Sequence, residues 1–500
     1  MKNARHISIM EILIPTINLE SIYPEILITV FAISVLLLQV FTSLPGRKQI
    51  GYISLTGIVL ASIIVLTQGG AFGENTGQSI YSFSNLWVVD NFSRFFKLII
   101  LIGTGLTVLI SIRYVKDEGI DHGEYYSLIL FTTIGMMIMA GGSDLITIFL
   151  GIELMSISLY VLTGYTRKRL LSNESSLKYF LLGSFATCFL LYGISLLYGA
   201  TGTTNLKGIS GFISDANFGS PVLIIGMVLL LIGFGFKVAS VPFHMWTPDV
   251  YEGAPAPITA FMSASPKAAA FAAFLRIFIE ALPSLQGVWV DIIWVLAAMT
   301  MTVGNVIALV QDNVKRMLAY SSIAHAGYIL VAFISTDKSG IASILYYMLA
   351  YTFMNIGAFA IVIIIGGKGE EKVHVKDYTG LGYRYPLTAA AMTLFLLSLT
   401  GIPPTAGFMG KLYLFSAAIK SGYVGLVTIA VLNSVISLYY YLKIIVAMYL
   451  KEPELNVPND SLVFSPAMVI ALIIAVCGVL LVGIFPSPYI AMAQQSYISF

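Results

Sequence analysis

The chain has 500 residues, of which 58% are apolar and only 10% charged, with a formal net charge of +2 and a mean hydropathy of +0.89. A soluble chain of this length would divide into domains with polar surfaces. This composition excludes that, and apolar stretches of roughly 18 to 28 residues recur from end to end, so residues 1–500 read as one integral membrane domain whose partner is the lipid bilayer. No basic patch suited to nucleic acid is present, so no nucleic-acid partner is expected.

The first residues carry a basic head, but Glu11 and Pro15 interrupt the apolar run too early for a signal peptide, leaving a short extramembrane leader. Crossings are then expected at 22–43, 50–69, 92–113, 124–142, 144–164, 174–199, 219–243 and 254–282. Six more follow at 287–311, 317–335, 340–366, 386–420, 423–450 and 464–485. The fold class is therefore all-α, a polytopic membrane protein of about fourteen helices. The 386–420 run is too long for one straight crossing and contains Pro403 and Pro404, which predicts a broken helix.

Basic residues resist translocation and collect in cytoplasmic loops. One set of alternate loops holds Arg47, Lys48, Arg113, Lys116, Arg167, Lys168, Arg169, Lys315, Arg316, Lys368, Lys372, Lys376, Arg384 and Lys451. The opposite set holds only Lys2, Arg5, Lys207, Lys338 and Lys420, so both termini are expected outside. Cys188 and Cys477 lie far apart in apolar segments, with no CxxC unit and no metal-ligand spacing, and read as packing residues.

Charges inside the crossings carry the functional signal, because each costs roughly 2.5 to 3.5 kcal/mol at a helix centre and so usually faces a bundle interior or a wet pathway. Glu153, Lys178, Lys237, Lys267, Lys411 and Lys443 all lie within apolar runs. The plain alternative for a lysine is snorkelling of its long stem to the interface, and for Glu153 a structural ion pair. Lys237, Lys267 and Lys411 are flanked by small residues or prolines, which favour close helix approach or local opening. A line of buried lysines with one glutamate suits proton transfer: burial brings a lysine into the range where it both accepts and releases a proton, and a nearby carboxylate reverses that effect. His325 titrates near neutrality and could bridge two lysines, the alternative being a core histidine bonded to a carbonyl. His244, near a helix end, is equally open to gating or packing.

Pro242 cannot donate to the Val238 carbonyl beside Lys237, and Pro403 and Pro404 free the carbonyls of Leu399 and Thr400 before Lys411. Freed backbone at membrane depth is tolerated where it is enclosed by protein or lines a wet cavity. The two interrupted helices are the seventh and twelfth crossings, five apart, and must run in opposite directions. That is the signature of inverted repeats, expected here as five-helix units over 124–282 (crossings 4 to 8) and 287–450 (crossings 9 to 13). On this reading Lys237 and Lys411 are counterparts.

The stretches FKVASVPFHMWTPDVYEGAPAPITAFMSASPKAAAF, KRMLAYSSIAHAGYIL and GIPPTAGFMGKLYLF closely resemble the N subunits of the proton-pumping NADH:quinone oxidoreductase, respiratory complex I, an antiporter-like membrane family. The likeness covers most of the chain and is weakest in the first hundred residues. It implies that Glu153 on the fifth crossing pairs with Lys237 on the broken seventh, that Lys178 modulates the pair, that Lys267 passes the proton along the central axis, and that Lys411 faces the exit. It implies no redox centre on this chain, with flavin, iron-sulfur clusters and quinone in partner subunits of the complex, and a place in the bacterial cytoplasmic membrane. The competing function is an Mrp-type cation/proton antiporter subunit, which would use the same axis without an electron donor. Lys443 and the run Tyr439 to Tyr441 receive no role.

Overall fold

Within a bilayer each backbone N–H and C=O must be bonded inside the chain, so long apolar runs become helices. The computed structural model describes residues 17–41, 47–68, 79–215, 220–367, 372–452, 462 and 464–497. The leader, with Lys2 and Arg5, falls outside these residues, as do Lys368 and the side chains of Arg47 and Lys48. In chain order come α1 (Tyr23–Phe41), α2 (Arg47–Thr67), a two-stranded antiparallel hairpin of β1 (Ile80–Ser82) and β2 (Trp87–Val89), α3 (Asn91–Asp117), α4 (Gly123–Gly141), α5 (Leu145–Thr163) and α6 (Leu170–Thr201). Then follow α7 (Leu206–Asp215), α8 (Pro221–Val238), α9 (Trp246–Gly253) and α10 (Ala256–Arg276), which runs on into a π-turn over Ile277–Ala281. The rest comprises α11 (Gln286–Leu309), α12 (Val314–Phe333), α13 (Lys338–Gly366), α14 (Leu381–Arg384), α15 (Pro386–Thr400), α16 (Ala406–Lys420), α17 (Val424–Leu450), α18 (Pro466–Ile484) and α19 (Pro486–Gln495).

Twelve helical segments among the described residues are long and apolar enough to cross a membrane. Of the two remaining expected crossings, α12 is made less apolar by Lys315, Arg316, Ser321, Ser322 and His325, and the 386–420 run is split into α15 and α16. The β-hairpin is an addition to the all-α expectation. It is too short to show in apolar periodicity, and its turn residues Phe83, Ser84 and Asn85 all have positive φ, of 51°, 56° and 65°. Cys188 and Cys477 are exposed on the outward faces of α6 and α18, not packed in the core as expected. Both helices are peripheral, and their exposed Phe185, Phe189, Ile470 and Ile473 form part of the lipid-facing surface.

Helices α10, α12 and α13 sit at the centre, buried along nearly their whole length. Loop contacts sort onto two faces. On one, Asn18 N–H donates to Ser82 Oγ (3.2 Å), Ser143 Oγ and Asn205 Nδ2 donate to the Asn85 carbonyl (2.6 and 2.9 Å), and Asn91 Nδ2 donates to the Gln495 carbonyl (3.3 Å). On the other, Arg316 meets Asp249 and Glu252, and Lys443 meets Asp312. Both ends of the described chain therefore share one face.

The two interrupted crossings are built alike. After α8, Ala239 takes a left-handed φ of 62° and the Ser240 N–H reaches back to the Gly235 carbonyl (2.8 Å); after α15, Gly401 has φ 92° and the Ile402 N–H reaches back to the Leu397 carbonyl (3.0 Å). Each is a Schellman-type end, with a proline, Pro242 or Pro404, three residues past the left-handed position. The seventh crossing thus ends before Pro242, at Val238, because the left-handed turn at Ala239 already stops the helix. The starts of α5 and α12 also match. Their N-cap residues, Asp144 and Asn313, each accept from a backbone N–H two residues on, and each bridges a residue equally far along the chain, Asn205 or His374.

Past the second break the backbone approach is tight: a Cβ at Gly407 would lie 1.8 Å from the Ser398 carbonyl oxygen. Gly407→Ala should therefore force α16 away from α15. The expected result is a lower yield of folded protein and a melting temperature in detergent clearly below wild type, and a wild-type melting curve would show that the break tolerates separation.

Candidate functional site

Lys237 closes α8 and is 8% exposed, and its Nζ donates to Ser156 Oγ on α5 (2.7 Å). Glu153, one turn earlier on α5, accepts from Thr187 Oγ1 on α6 (2.9 Å). The structure thus brings Glu153 and Lys237 into each other's field without an ion pair, Ser156 standing beside them as the lysine's acceptor. The first break is sealed by protein: Trp246 Nε1 donates to the Phe236 carbonyl (3.1 Å), the Val241 N–H donates to Thr300 Oγ1 (3.0 Å), and His244 is buried within it.

Lys178 is placed elsewhere. Its Nζ meets Glu174 (2.7 Å) and Asp249 (2.6 Å), and Asp249 also meets Arg316 (2.9 Å). The α6 residue that touches Glu153 is Thr187, two and a half turns further on, about 13 Å along the axis and beyond a lysine's reach. Lys178 therefore belongs to a cluster on the second loop face in which α9 ties α6 to the start of α12. Glu252 accepts from Arg316 (2.6 Å) and Asn313 (2.9 Å), and Lys315 Nζ donates to the Glu252 and Ala254 carbonyls (2.7 and 2.9 Å).

Lys267, at 2% exposure in the middle of α10, donates to the Ser322 carbonyl (2.7 Å) and to Ser322 Oγ (2.5 Å) on α12. One turn along α12, His325 is held at both ring nitrogens, Nδ1 by Tyr347 Oη (2.5 Å) and Nε2 by Tyr441 Oη (3.2 Å). Because a neutral imidazole has one donor and one acceptor nitrogen, one tyrosine must accept and the other donate. His325 is within electrostatic reach of both Lys267 and Lys411.

Lys411 on α16 is 5% exposed. Its Nζ donates to the Thr400 carbonyl (2.8 Å) and to Ser434 Oγ on α17 (2.8 Å), and lies 4.7 Å over the Tyr328 ring. The Thr400 carbonyl is the last of α15, left without a helical donor by the left-handed turn at Gly401, so the break supplies the lysine's acceptor. A cavity of about 350 Å³ adjoins it, lined by Thr400, Gly401, Lys411, Phe415 and Ser434. Aligned on the two breaks, Lys411 falls opposite Asp249 and not opposite Lys237, which precedes its break. The expected counterpart relation of the two lysines is thereby corrected.

Lys443 reaches the loop face, where its Nζ donates to Asp312 Oδ1 (2.6 Å), and that hydrogen bond holds the Asp312 carboxyl below the usual carboxylate range. It is a snorkelling residue. Of the aromatic run, Tyr439 faces outward, whereas Tyr441 joins the axis through His325 and Ser321, and Tyr440 Oη donates to Asn305 Oδ1 (2.9 Å). Ser322, Tyr347, Tyr441 and Ser434 were missed by sequence reasoning. Among the described residues no group of three or more His, Cys, Asp or Glu is placed to hold a metal ion.

The broken helices and the buried lysine line define a class of membrane subunit, and the chain belongs to the NADH:quinone oxidoreductase/Mrp antiporter transmembrane family, whose model matches residues 142–437. Within it, the NADH-quinone oxidoreductase subunit N of Trichlorobacter lovleyi is 53% identical over 97% of this chain and 98% of its own length. That of Chloroflexus aggregans is 40% identical over 97% and 98%. A chain of respiratory complex I from Thermus thermophilus with bound aureothin superposes with a TM-score of 0.78 at 33% identity, covering 94% of this chain and 98% of that one. A chain of the Mrp complex from Dietzia sp. shares the fold, with a TM-score of 0.84 at 20% identity, covering 96% and 97%.

Tyr347→Phe removes the bond to His325 Nδ1 and leaves a buried ring nitrogen unpaired, which should cost about 1 to 3 kcal/mol. Thermal unfolding in detergent should register this as a lowered midpoint, and an unchanged midpoint would show that the bond contributes nothing to holding the ring.

Proposed function

We propose that this chain is the proton-translocating, non-redox N-type membrane subunit of a bacterial NADH:quinone oxidoreductase, working with the other membrane and peripheral subunits of the complex. Electron transfer through flavin and iron-sulfur clusters to quinone belongs to those partner subunits. The observation that carries the reading is the buried line of Lys267, His325 and Lys411, three ionisable groups at the bundle centre that each bond a hydroxyl, Ser322, Tyr347 and Tyr441, and Ser434 in turn.

In this reading Lys237 holds a proton on Nζ with Ser156 as acceptor. When Glu153 leaves Thr187 and turns toward Lys237, the carboxylate stabilises the ammonium; when it turns back, the proton is free to move from α8 to α10, which pack together. Lys267 receives it, Ser322 and His325 carry it along α12, and Lys411 releases it into the cavity beside the second break. Two Schellman-type ends, two matching N-caps and a spacing of five crossings from one break to the next support the inverted five-helix units and the count of fourteen crossings. The excess of basic residues in the loops that include Arg167 and Arg316 supports a topology with both termini outside. The Mrp-type alternative draws support from the shared fold and from a family model that spans both groups, whereas the two relatives named above, 53% and 40% identical, are N subunits of the oxidoreductase.

Glu153→Gln keeps the shape and removes the charge. In the assembled complex in vesicles it should lower the number of protons moved per quinone reduced without loss of assembly, and full pumping would sink the Glu153 and Lys237 assignment. Lys267→Arg keeps a charge that arginine effectively never gives up. Both Lys267→Ala and Lys267→Arg should therefore impair pumping, and normal pumping in either would take Lys267 out of the path.

A further inference from the structure

A second buried pair of opposite charges lies outside this line. Glu25, in the first turn of α1, and Lys97, two turns into α3, meet at 2.8 Å with side chains 8% and 0% exposed, and the ammonium sits 4.6 Å from the centre of the Trp87 ring. Beyond this contact neither the ammonium nor the second carboxylate oxygen has a hydrogen-bond partner among the described residues. Another enclosed pair among the described residues is made differently. Arg276 grips Asp90 through two bonds of 2.9 and 3.0 Å, adds one to the Ala140 carbonyl at 3.4 Å and meets Glu280 at 3.5 Å, a strut held at several points although Arg276 Nε and Glu280 Oε1 have no partner among the described residues. Glu25 and Lys97 keep spare donors and acceptors where each is expensive, which suits groups that exchange protons or bond to water.

The pair stands at one end of a polar line. Thr104, Thr107 and Ser111 follow Lys97 along one buried face of α3. Thr104 Oγ1 meets Thr133 Oγ1 of α4 at 3.1 Å, and Ser111 Oγ meets Tyr125 Oη at 3.0 Å. The Tyr125 ring packs edge-on against Tyr165, 5.2 Å between centres, and Tyr165 lines a cavity of about 440 Å³ together with Glu118, His122, Glu124 and Arg167 on the opposite face. At the other end Glu25 lines a groove of about 530 Å³. Thr104, Thr107 and Ser111 each donate to a carbonyl of α3, so passage of a proton requires each hydroxyl to turn, and the largest step along α3, from Lys97 to Thr104, is two turns or about 10 Å, short enough for a few waters.

We propose that Glu25 and Lys97 form a second proton-carrying pair, the terminal station of a line through α3 and α4 that is separate from the Lys267 and Lys411 axis. The inference rests on the reading of this chain as a proton-translocating subunit. The step is a transfer of one proton from Lys97 Nζ to Glu25, leaving amine and carboxylic acid; Glu25 then gives it to water at the mouth of the otherwise largely apolar groove, which restores the carboxylate, while Lys97 takes a proton from the hydroxyl line and the line takes one from water in the cavity beside Tyr165.

The test uses the whole complex in vesicles and compares the Glu25→Gln/Lys97→Met double variant, which has no charge to leave unpaired, with Thr104→Val and with Glu153→Gln. Expected is normal assembly and quinone reduction, with protons moved per quinone lowered equally by the double variant and by Thr104→Val, and lowered further when either is combined with Glu153→Gln. Unchanged pumping in the assembled double variant would make the pair a structural anchor and overturn the proposal. So would loss of assembly in the double variant together with unchanged pumping in Thr104→Val. A rise in passive proton leak with no substrate present would make the pair a plug and not a carrier, and would overturn it as well. If Glu153→Gln alone has no effect, the main axis fails and the second line is still judged by its own variants.

Discussion

An ammonium at the centre of a bilayer must be given oxygen atoms to bond, and most of this architecture follows from that need. Apolar helices offer few oxygens, since each carbonyl already accepts from its own ladder and has at most a second lone pair to give, as Ser322 does to Lys267. The chain meets the need in two ways. It places serines on facing helices, Ser156 for Lys237, Ser322 for Lys267 and Ser434 for Lys411, and it breaks a helix so that the Thr400 carbonyl becomes available. In each case the acceptor is neutral. At these three lysines a hydroxyl or carbonyl supports the ammonium without holding its proton as tightly as a permanent carboxylate partner would.

The three axial lysines could be picked out of the sequence because a charge in an apolar run is conspicuous, and the second break because two prolines interrupt an overlong crossing. Their partners could not. A serine or tyrosine in a membrane helix is commonplace, and whether it bonds its own helix or a neighbouring lysine depends on tertiary packing: Thr107 Oγ1 donates to the Gly103 carbonyl, while Ser434, equally unremarkable in sequence, meets Lys411. Tyr440 and Tyr441 were hidden for another reason. Consecutive residues on a helix point about 100° apart, so a run of three aromatics spans both lipid and core, and composition does not say which is which. Glu25 and Lys97 stand within two turns of the ends of their crossings, where a charge reads as interfacial until a neighbouring helix is seen to cover it.

Lys178 shows how far a residue role travels with a resemblance. The sequence places it one helix from Glu153 and the family suggests that it modulates the Glu153 and Lys237 pair, yet the side chain lies in the network that holds α9 to the start of α12. Any influence it has on Glu153 passes through the position of α6 and α9, not through contact. The same network joins α6 and α9 to the start of α12 through salt bridges on one loop face.

The burial of α10 bears on how such a chain is inserted during synthesis. This helix carries Lys267, Arg276 and Glu280, is enclosed on all sides and has a mean hydropathy of 1.3 over its most apolar window, against 3.1 for the peripheral α18. At roughly 2.5 to 3.5 kcal/mol for a central charge, α10 gains little from lipid by itself. Its oxygens come from α12, which follows it in the chain, and from Asp90 at the head of α3, which precedes it. The central helix therefore depends on neighbours made both before and after it. The lipid-facing helices can settle one at a time as they emerge, whereas the proton path is completed as a group.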